Sequence, residues 1–274
     1  MQLKRVLLES WKKVTEHKGL FLLVVLLQLG VILLMGYLLL TYPIKILENV
    51  QGIIAPLEQA NYNATLIEAG IPFSTELLSV SQSYTLLQKN MSELFLALMG
   101  IFLVLQGWIW ILSVRMVEGQ KRKFGEEIYS FFSSWSKYVF FALVLNGIST
   151  LIGFLILTTW FDVNNLTIST WALAGVALVG VIGYYLQLVG FGLSAHPRKG
   201  LIGKWIKFSF KDIRQNIVVL GLNLIVLAGI IGLIYLTMLK ESLFILTLLL
   251  GIIFILMWVF TRVVWVVSLN QEKF

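Results

Sequence analysis

The chain has 274 residues, of which 58% are hydrophobic and 13% charged, and its mean hydropathy is +0.89. A soluble domain of this length needs far more polar surface than that composition supplies, so the sequence is that of an integral membrane protein. It holds no cysteine, which excludes disulfides and thiol chemistry, and its net charge of +7 is accounted for by topology without a nucleic-acid partner.

Residues 2–15 put Leu3, Val6, Leu7, Trp11 and Val14 on one helical face and Lys4, Arg5, Glu9, Lys12 and Lys13 on the other, the pattern of an interfacial amphipathic helix. Six apolar runs follow, at about 20–41, 94–114, 138–160, 169–194, 216–238 and 243–267. Each reaches the length of about 20 residues that a hydrocarbon core about 30 Å thick requires of a helix rising 1.5 Å per residue. They are too long and too little alternating for barrel strands of about ten residues. The first ends Leu40-Thr41-Tyr42-Pro43 without a small-x-small cleavage site, so it is expected to stay in the membrane.

Residues 42–92, between the first two runs, are an insertion with its own pattern. Ile44, Leu47, Gln51, Ile54 and Leu57 recur three and four apart, as do Leu77, Val80, Tyr84, Leu87, Met91 and Leu94, the a/d rhythm of helices packed on each other. A polar stretch from Gln59 to Pro72 separates them. Two helices continuing out of the membrane as an antiparallel hairpin are expected, reaching roughly 25 Å from the bilayer at 1.5 Å per residue. Amphipathic stripes also precede the third run (Phe124, Ile128, Phe131, Phe132, Trp135) and the fifth (Ile202, Trp205, Ile206, Ser209, Ile213). Trp11, Trp135 and Trp205 are the expected interfacial anchors, with anionic lipid headgroups drawn to the basic faces.

An internal repeat organises these elements. Ser209-Phe210-Lys211 opens a segment that crosses Asn223, turns at Lys240-Glu241 and returns to Trp265-Val-Val-Ser268; Ser134-Trp135-Ser-Lys137 opens another, which passes Asn146, turns at Asp162 to Asn165 and returns to Phe191-Gly-Leu-Ser194. The serines are 59 and 60 residues apart. Ser10-Trp11-Lys12 and Trp110-Ile-Leu-Ser113 bound a third such unit, with Gln28 inside it and about 43 extra residues at its tip. The expected fold is thus an all-α membrane protein of six transmembrane helices in three related hairpins, each preceded by a cytoplasmic interfacial helix. The repeats are 1–115 (with the insertion 42–92), 116–196 and 197–274.

With the N-terminus inside, 18 of the 21 lysines and arginines fall on the cytoplasmic side and only Lys45, Lys89 and Lys240 outside. Both termini are then cytoplasmic in a multi-pass protein of a cell membrane. The sequons at Asn63, Asn90 and Asn165 fall outside; Asn90 is too close to the bilayer, which leaves Asn63 and Asn165 as possible glycosylation sites.

Polar groups within the spans are the candidate functional residues, because hydrocarbon offers them no water. Gln28, Asn146 and Asn223 occupy one place in the three first helices, and Gln106, Gln187 and Thr261 lie seven residues before the terminal serines. Around a common axis they would form two polar layers, fixing register or lining a path. Arg262 is the formal charge inside a span. Six residues from Ser268, it is expected to snorkel to the cytoplasmic interface, the alternative being an inward contact to an anionic headgroup or ligand with Tyr184, Tyr185 and Gln187 as neighbours. Small residues on the fourth span (Gly175, Gly180, Gly183, Gly190) and fifth (Gly221, Gly229, Gly232) predict that both lie centrally.

Catalytic patterns are missing: no His-Glu-x-x-His, no phosphate-binding glycine loop and no acid in a span, while His17 and His196 are isolated. No enzyme activity, metal or cofactor is expected. Three tandem units of interfacial helix plus hairpin, opened at Ser10, Ser134 and Ser209, resemble in layout a group of prokaryotic polytopic membrane proteins that includes the membrane domain accompanying glycerophosphodiester phosphodiesterases. The resemblance implies a membrane module, and the catalytic domain is not part of it. The expected function is a non-catalytic membrane subunit that binds a partner protein, lipid or both through residues 42–92 and the interfacial helices; the alternative is a carrier or conduit for a lipid or small amphipathic molecule between the repeats.

Overall fold

The computed structural model describes residues 2–59, 74–119, 124–159, 161–162, 167–194, 200–211, 213–238 and 243–270. The structure is almost wholly helical: α1 (Gln2–Glu16), α2 (Lys18–Gln59), α3 (Ser74–Gly100), a π-helical segment (Ile101–Gln106), α4 (Gly107–Glu118), α5 (Phe124–Thr159), α6 (Thr170–Gly192), α7 (Leu201–Lys211), α8 (Ile213–Met238) and α9 (Phe244–Asn270). Two-residue strands, β1 (Phe161–Asp162) and β2 (Thr167–Ile168), pair antiparallel between α5 and α6. Six helical stretches are long and apolar enough to cross a membrane, and each contains the run expected from hydropathy or nearly all of it. Asn63, Asn165 and the turn at Lys240-Glu241 lie outside the described residues.

Local chemistry sets several boundaries. α4 stops at Gly119, whose positive φ of 63° returns its N–H to the Arg115 carbonyl in a left-handed cap. α6 starts after Ser169, whose hydroxyl accepts from the Trp171 N–H. Between α1 and α2 only His17 interrupts the helix, and its N–H still donates to the Lys13 carbonyl at 3.1 Å.

The chain divides into two compact units, Met1–Gln28 with Gln106–Phe274, and Leu29–Leu105. In the first, α5 and α6 pack antiparallel along their length: Phe141 lies against Gly190, Ser149 against Gly183 and Ile156 against Gly175. α8 and α9 do likewise, with Thr247 meeting Thr237 at one end and Asn223 meeting Thr261 at the other. Helices α4, α6 and α9 also touch one another. Trp110, Phe191 and Trp265, three residues before Ser113, Ser194 and Ser268, are all buried, and so are the serines. The Trp110 and Phe191 rings are 5.5 Å apart and those of Phe191 and Tyr138 4.3 Å, while the Trp265 indole N–H donates to the Leu188 carbonyl of α6 at 2.9 Å. The opening serines Ser10, Ser134 and Ser209 are buried as well. Ser10 and Ser113 each donate to the carbonyl four residues earlier at 2.7 Å, so these hydroxyls need no partner outside their own helix.

Burial concentrates at the end of this unit that carries the basic loops. It covers much of 107–117, 134–145 and 185–194 and all of 261–269, whereas Leu224, Ile225, Ile231 and Leu236 of α8 and Phe244 to Ile253 of α9 are largely exposed side chains that a bilayer would cover.

Three expectations are corrected here. The apolar stripe before the third run is not a separate interfacial helix: α5 runs unbroken from Phe124 to Thr159, because nothing between Phe124 and Tyr138 caps or breaks it. The apolar face of α1 divides: Val6 and Val14 are buried with Ser10 where α1 meets α4 and α9, Leu3 and Leu7 are half-buried, and Trp11 is exposed. α6 is central, but α8 is peripheral: a Cβ on Gly221, Gly229 or Gly232 would meet nothing within 4 Å, so these glycines serve no close helix approach.

In the second unit α2 and α3 are antiparallel. Tyr42 donates to Glu93 at 3.3 Å and Gly52 lies against Ser83, so the contacts advance ten residues along each helix in opposite senses. The side chains turned toward this seam are Tyr42, Ile46, Asn49 and Ile53 on α2 and Val80, Ser83, Leu87, Asn90 and Leu94 on α3. On α2 this is not the stripe expected to pack: Ile44, Leu47 and Ile54 are 60, 58 and 47% exposed, and Gln51 is exposed beside them. On α3 the expected stripe divides, with Val80, Leu87 and Leu94 half-buried and Tyr84 and Met91 exposed. The two faces that meet mix apolar side chains with Asn49, Ser83 and Asn90, and the stripe at Ile44, Leu47 and Ile54 is left outside.

Candidate functional site

The most unusual group in the first unit is Arg262. α9 is buried on every side from Thr261 to Leu269, so a charge at position 262 has no face through which to reach water. Its side chain therefore does not snorkel, contrary to expectation; the residue is 6% exposed and turned into the protein. One guanidinium nitrogen, Nη2, donates to Gln28 Oε1 at 2.9 Å and to Gln106 Oε1 at 3.2 Å. The guanidinium lies over the face of Trp110, 5.2 Å from its centroid. A hydrogen bond to a charged group is worth about 1.5–3 kcal/mol, and a desolvated cation on an indole face about 2 kcal/mol.

Those contacts leave the charge itself unbalanced. Among the described residues Arg262 has no carboxylate partner within ion-pair distance. Arg262 Nη1 and Gln28 Nε2 are both buried and without a hydrogen-bond partner. Leaving a buried donor unpaired costs about 1–3 kcal/mol, and more when it is charged. Both atoms are donors, so what the site lacks is an acceptor.

The other polar positions divide between interfaces. Asn223 donates to the Thr261 carbonyl at 3.3 Å, joining α8 to α9. Asn146 occupies an exposed position and donates to the Ala142 carbonyl of its own helix at 2.8 Å. Gln187 is buried in α6. Gln28 and Gln106 thus converge on Arg262, Asn223 and Thr261 form a separate pair, and Asn146 joins neither. Of the candidate anchors, Trp11 is 62% exposed with its ring edge-on to Phe260. Trp135 is half-buried against Gly107, and the half-buried Trp205 donates its indole N–H to the Leu186 carbonyl of α6 at 3.0 Å.

A second buried polar group was not expected from the sequence. The Tyr185 hydroxyl donates to the Ser209 carbonyl at 2.8 Å, and Asn216 Nδ2 donates to the Phe208 carbonyl at 3.1 Å, which ties the α7–α8 junction to α6. Nothing in the local pattern distinguishes Asn216 from the solvated ends of other spans. Trp110 was missed as a partner of Arg262 for a different reason: the two are 152 residues apart and only the contact of α4 with α9 unites them. A signal did exist, since Gln106 and Thr261 hold matching places before their serines and Arg262 is the residue next to Thr261.

No family model matches the chain, and neither the curated proteins nor the solved structures yield a match to it.

Proposed function

We propose that this is a non-catalytic, multi-pass membrane protein with both termini in the cytoplasm, built from three related hairpins, and that it binds a helix of a partner membrane or extracytoplasmic protein along Ile44, Leu47, Gln51 and Ile54. The observation that carries the partner reading is the outward stripe on α2. Positions three and four apart form a seam into which another helix can set its own side chains, and the α2–α3 contact uses different positions. Acyl chains are the wrong occupant: the stripe lies past the apolar run 20–41 and is flanked by exposed Lys45 and Glu48, which hydrocarbon excludes. A helix with complementary charges beside an apolar seam fits both features.

The three-hairpin reading is supported by the mutual contact of α4, α6 and α9, and by the burial of the opening and closing serines of all three units with the aromatics that precede the closing ones. The packing of the Trp110 and Tyr138 rings on Phe191 weighs against a conduit at that level of the first unit.

A photo-crosslinking residue placed singly at 44, 47 and 54, in native membranes, tests the partner reading. A discrete protein adduct at all three, lost in a Leu47→Glu background, is expected. An adduct of twice the chain's own mass would put a second copy on the stripe instead, and lipid adducts alone would sink the proposal.

A further inference from the structure

We infer that Arg262 and Gln28 form the seat of an oxyanion, the phosphate or carboxylate group of an amphiphile taken from the bilayer. The inference is independent of the partner reading, because it concerns the first unit alone. It starts from the two donors, Arg262 Nη1 and Gln28 Nε2, which are buried without an acceptor on two side chains joined to each other by a hydrogen bond. Both glutamines already point their oxygens at Nη2, so rotating an amide to satisfy Gln28 Nε2 would break a bond to the guanidinium. Water would satisfy the donors but leave the buried positive charge uncompensated; an anionic oxygen does both.

Position argues for the membrane as the source. Toward the basic loops the site is closed by Trp265, Val266 and Ser268, each no more than 2% exposed. In the other direction burial stops within one helical turn, and α9 offers Ile252, Ile253 and Leu256 as exposed apolar side chains. A headgroup at Arg262 would leave its chain toward the middle of the span, past the half-buried Trp258 and Ile255 on Arg262's own face of α9. Neither donor touches solvent, so an occupant enters by moving neighbouring side chains, and Gln106, the second acceptor on Nη2, is a half-buried polar neighbour. It closes a π-helical segment, Ile101–Gln106, a local irregularity that is frequent at functional sites.

The test uses the full chain in micelles of dodecyl maltoside, a detergent without phosphate, either alone, with phosphatidylglycerol and the matching diacylglycerol, or with inorganic phosphate, read by native mass spectrometry of retained lipid and by thermal unfolding. Wild type should retain phosphatidylglycerol over the diacylglycerol by about tenfold, the equivalent of one charge-assisted contact, and unfold at a higher temperature with it. Protection by inorganic phosphate in its place would keep the seat and assign it a soluble anion. Arg262→Gln should lose the preference. Should that variant fail to fold, Gln28→Glu decides the matter, because it supplies the missing acceptor from within. It should unfold at a higher temperature than wild type in dodecyl maltoside alone and respond to neither anion. If wild type shows no anion preference, or Gln28→Glu keeps one of the same size, the seat does not exist.

Discussion

The ammonium of Lys137 donates to the carbonyl of Ser194 at 3.1 Å, tying the opening of one hairpin to its close, 57 residues on. Both residues are buried, and the acceptor follows the last turn of α6, where carbonyls lack intrahelical partners and the helix dipole is negative. Lys13, three residues after Ser10 as Lys137 is three after Ser134, has its Nζ beside Gly119 at the end of α4.

Lys137→Met should therefore destabilise the protein by about 1–3 kcal/mol, the loss of a charged hydrogen bond to an orphan carbonyl. Thermal unfolding in detergent checks it. Lys207→Met, at an exposed position of α7, should fall within about 0.5 kcal/mol of wild type.

Gly190 and Gly229 are both in spans, and alanine should act oppositely at the two. A Cβ on Gly190 would lie 2.7 Å from the Phe141 ring, and overpacking of that kind costs about 1–3 kcal/mol. A Cβ on Gly229 meets nothing within 4 Å, so Gly229→Ala should be neutral or stabilise by up to about 1 kcal/mol through helix propensity. Equal destabilisation at the two sites would contradict the peripheral placement of α8.

Trp265→Phe removes the indole N–H that reaches the Leu188 carbonyl and leaves a small void at a position 2% exposed. A loss of about 1–3 kcal/mol is expected. Trp108→Phe, on the 42% exposed face of α4, should cost less than about 0.5 kcal/mol. Chemical denaturation of the two variants side by side measures the difference.

The orientation can be read directly because the chain contains no cysteine. Single cysteines at Lys207 and Lys89, both exposed positions, give labelling with no background. In sealed cells an impermeant maleimide should modify Lys89→Cys and spare Lys207→Cys until the membrane is opened. The reverse pattern would overturn the placement of the termini in the cytoplasm.

Hydropathy placed all six spans, because membrane crossing depends on a local sum over about 20 residues. Serine spacing marked in advance six positions that prove to be buried. What the sequence left open depended on which distant helices meet. The heptad stripe at 44, 47, 51 and 54 reads as a packed seam in isolation, yet the helix rotates it outward, since the contact with α3 is made by Tyr42 with Glu93 and Gly52 with Ser83. Arg262 reads as a residue close enough to the interface to snorkel. Only the closure of α4 and the start of α2 around α9, with partners 156 and 234 residues away, turns it inward. Span number and length are properties of consecutive residues and were legible; the direction of one buried charge is a property of the neighbours that deny it water, and only the tertiary structure supplies those.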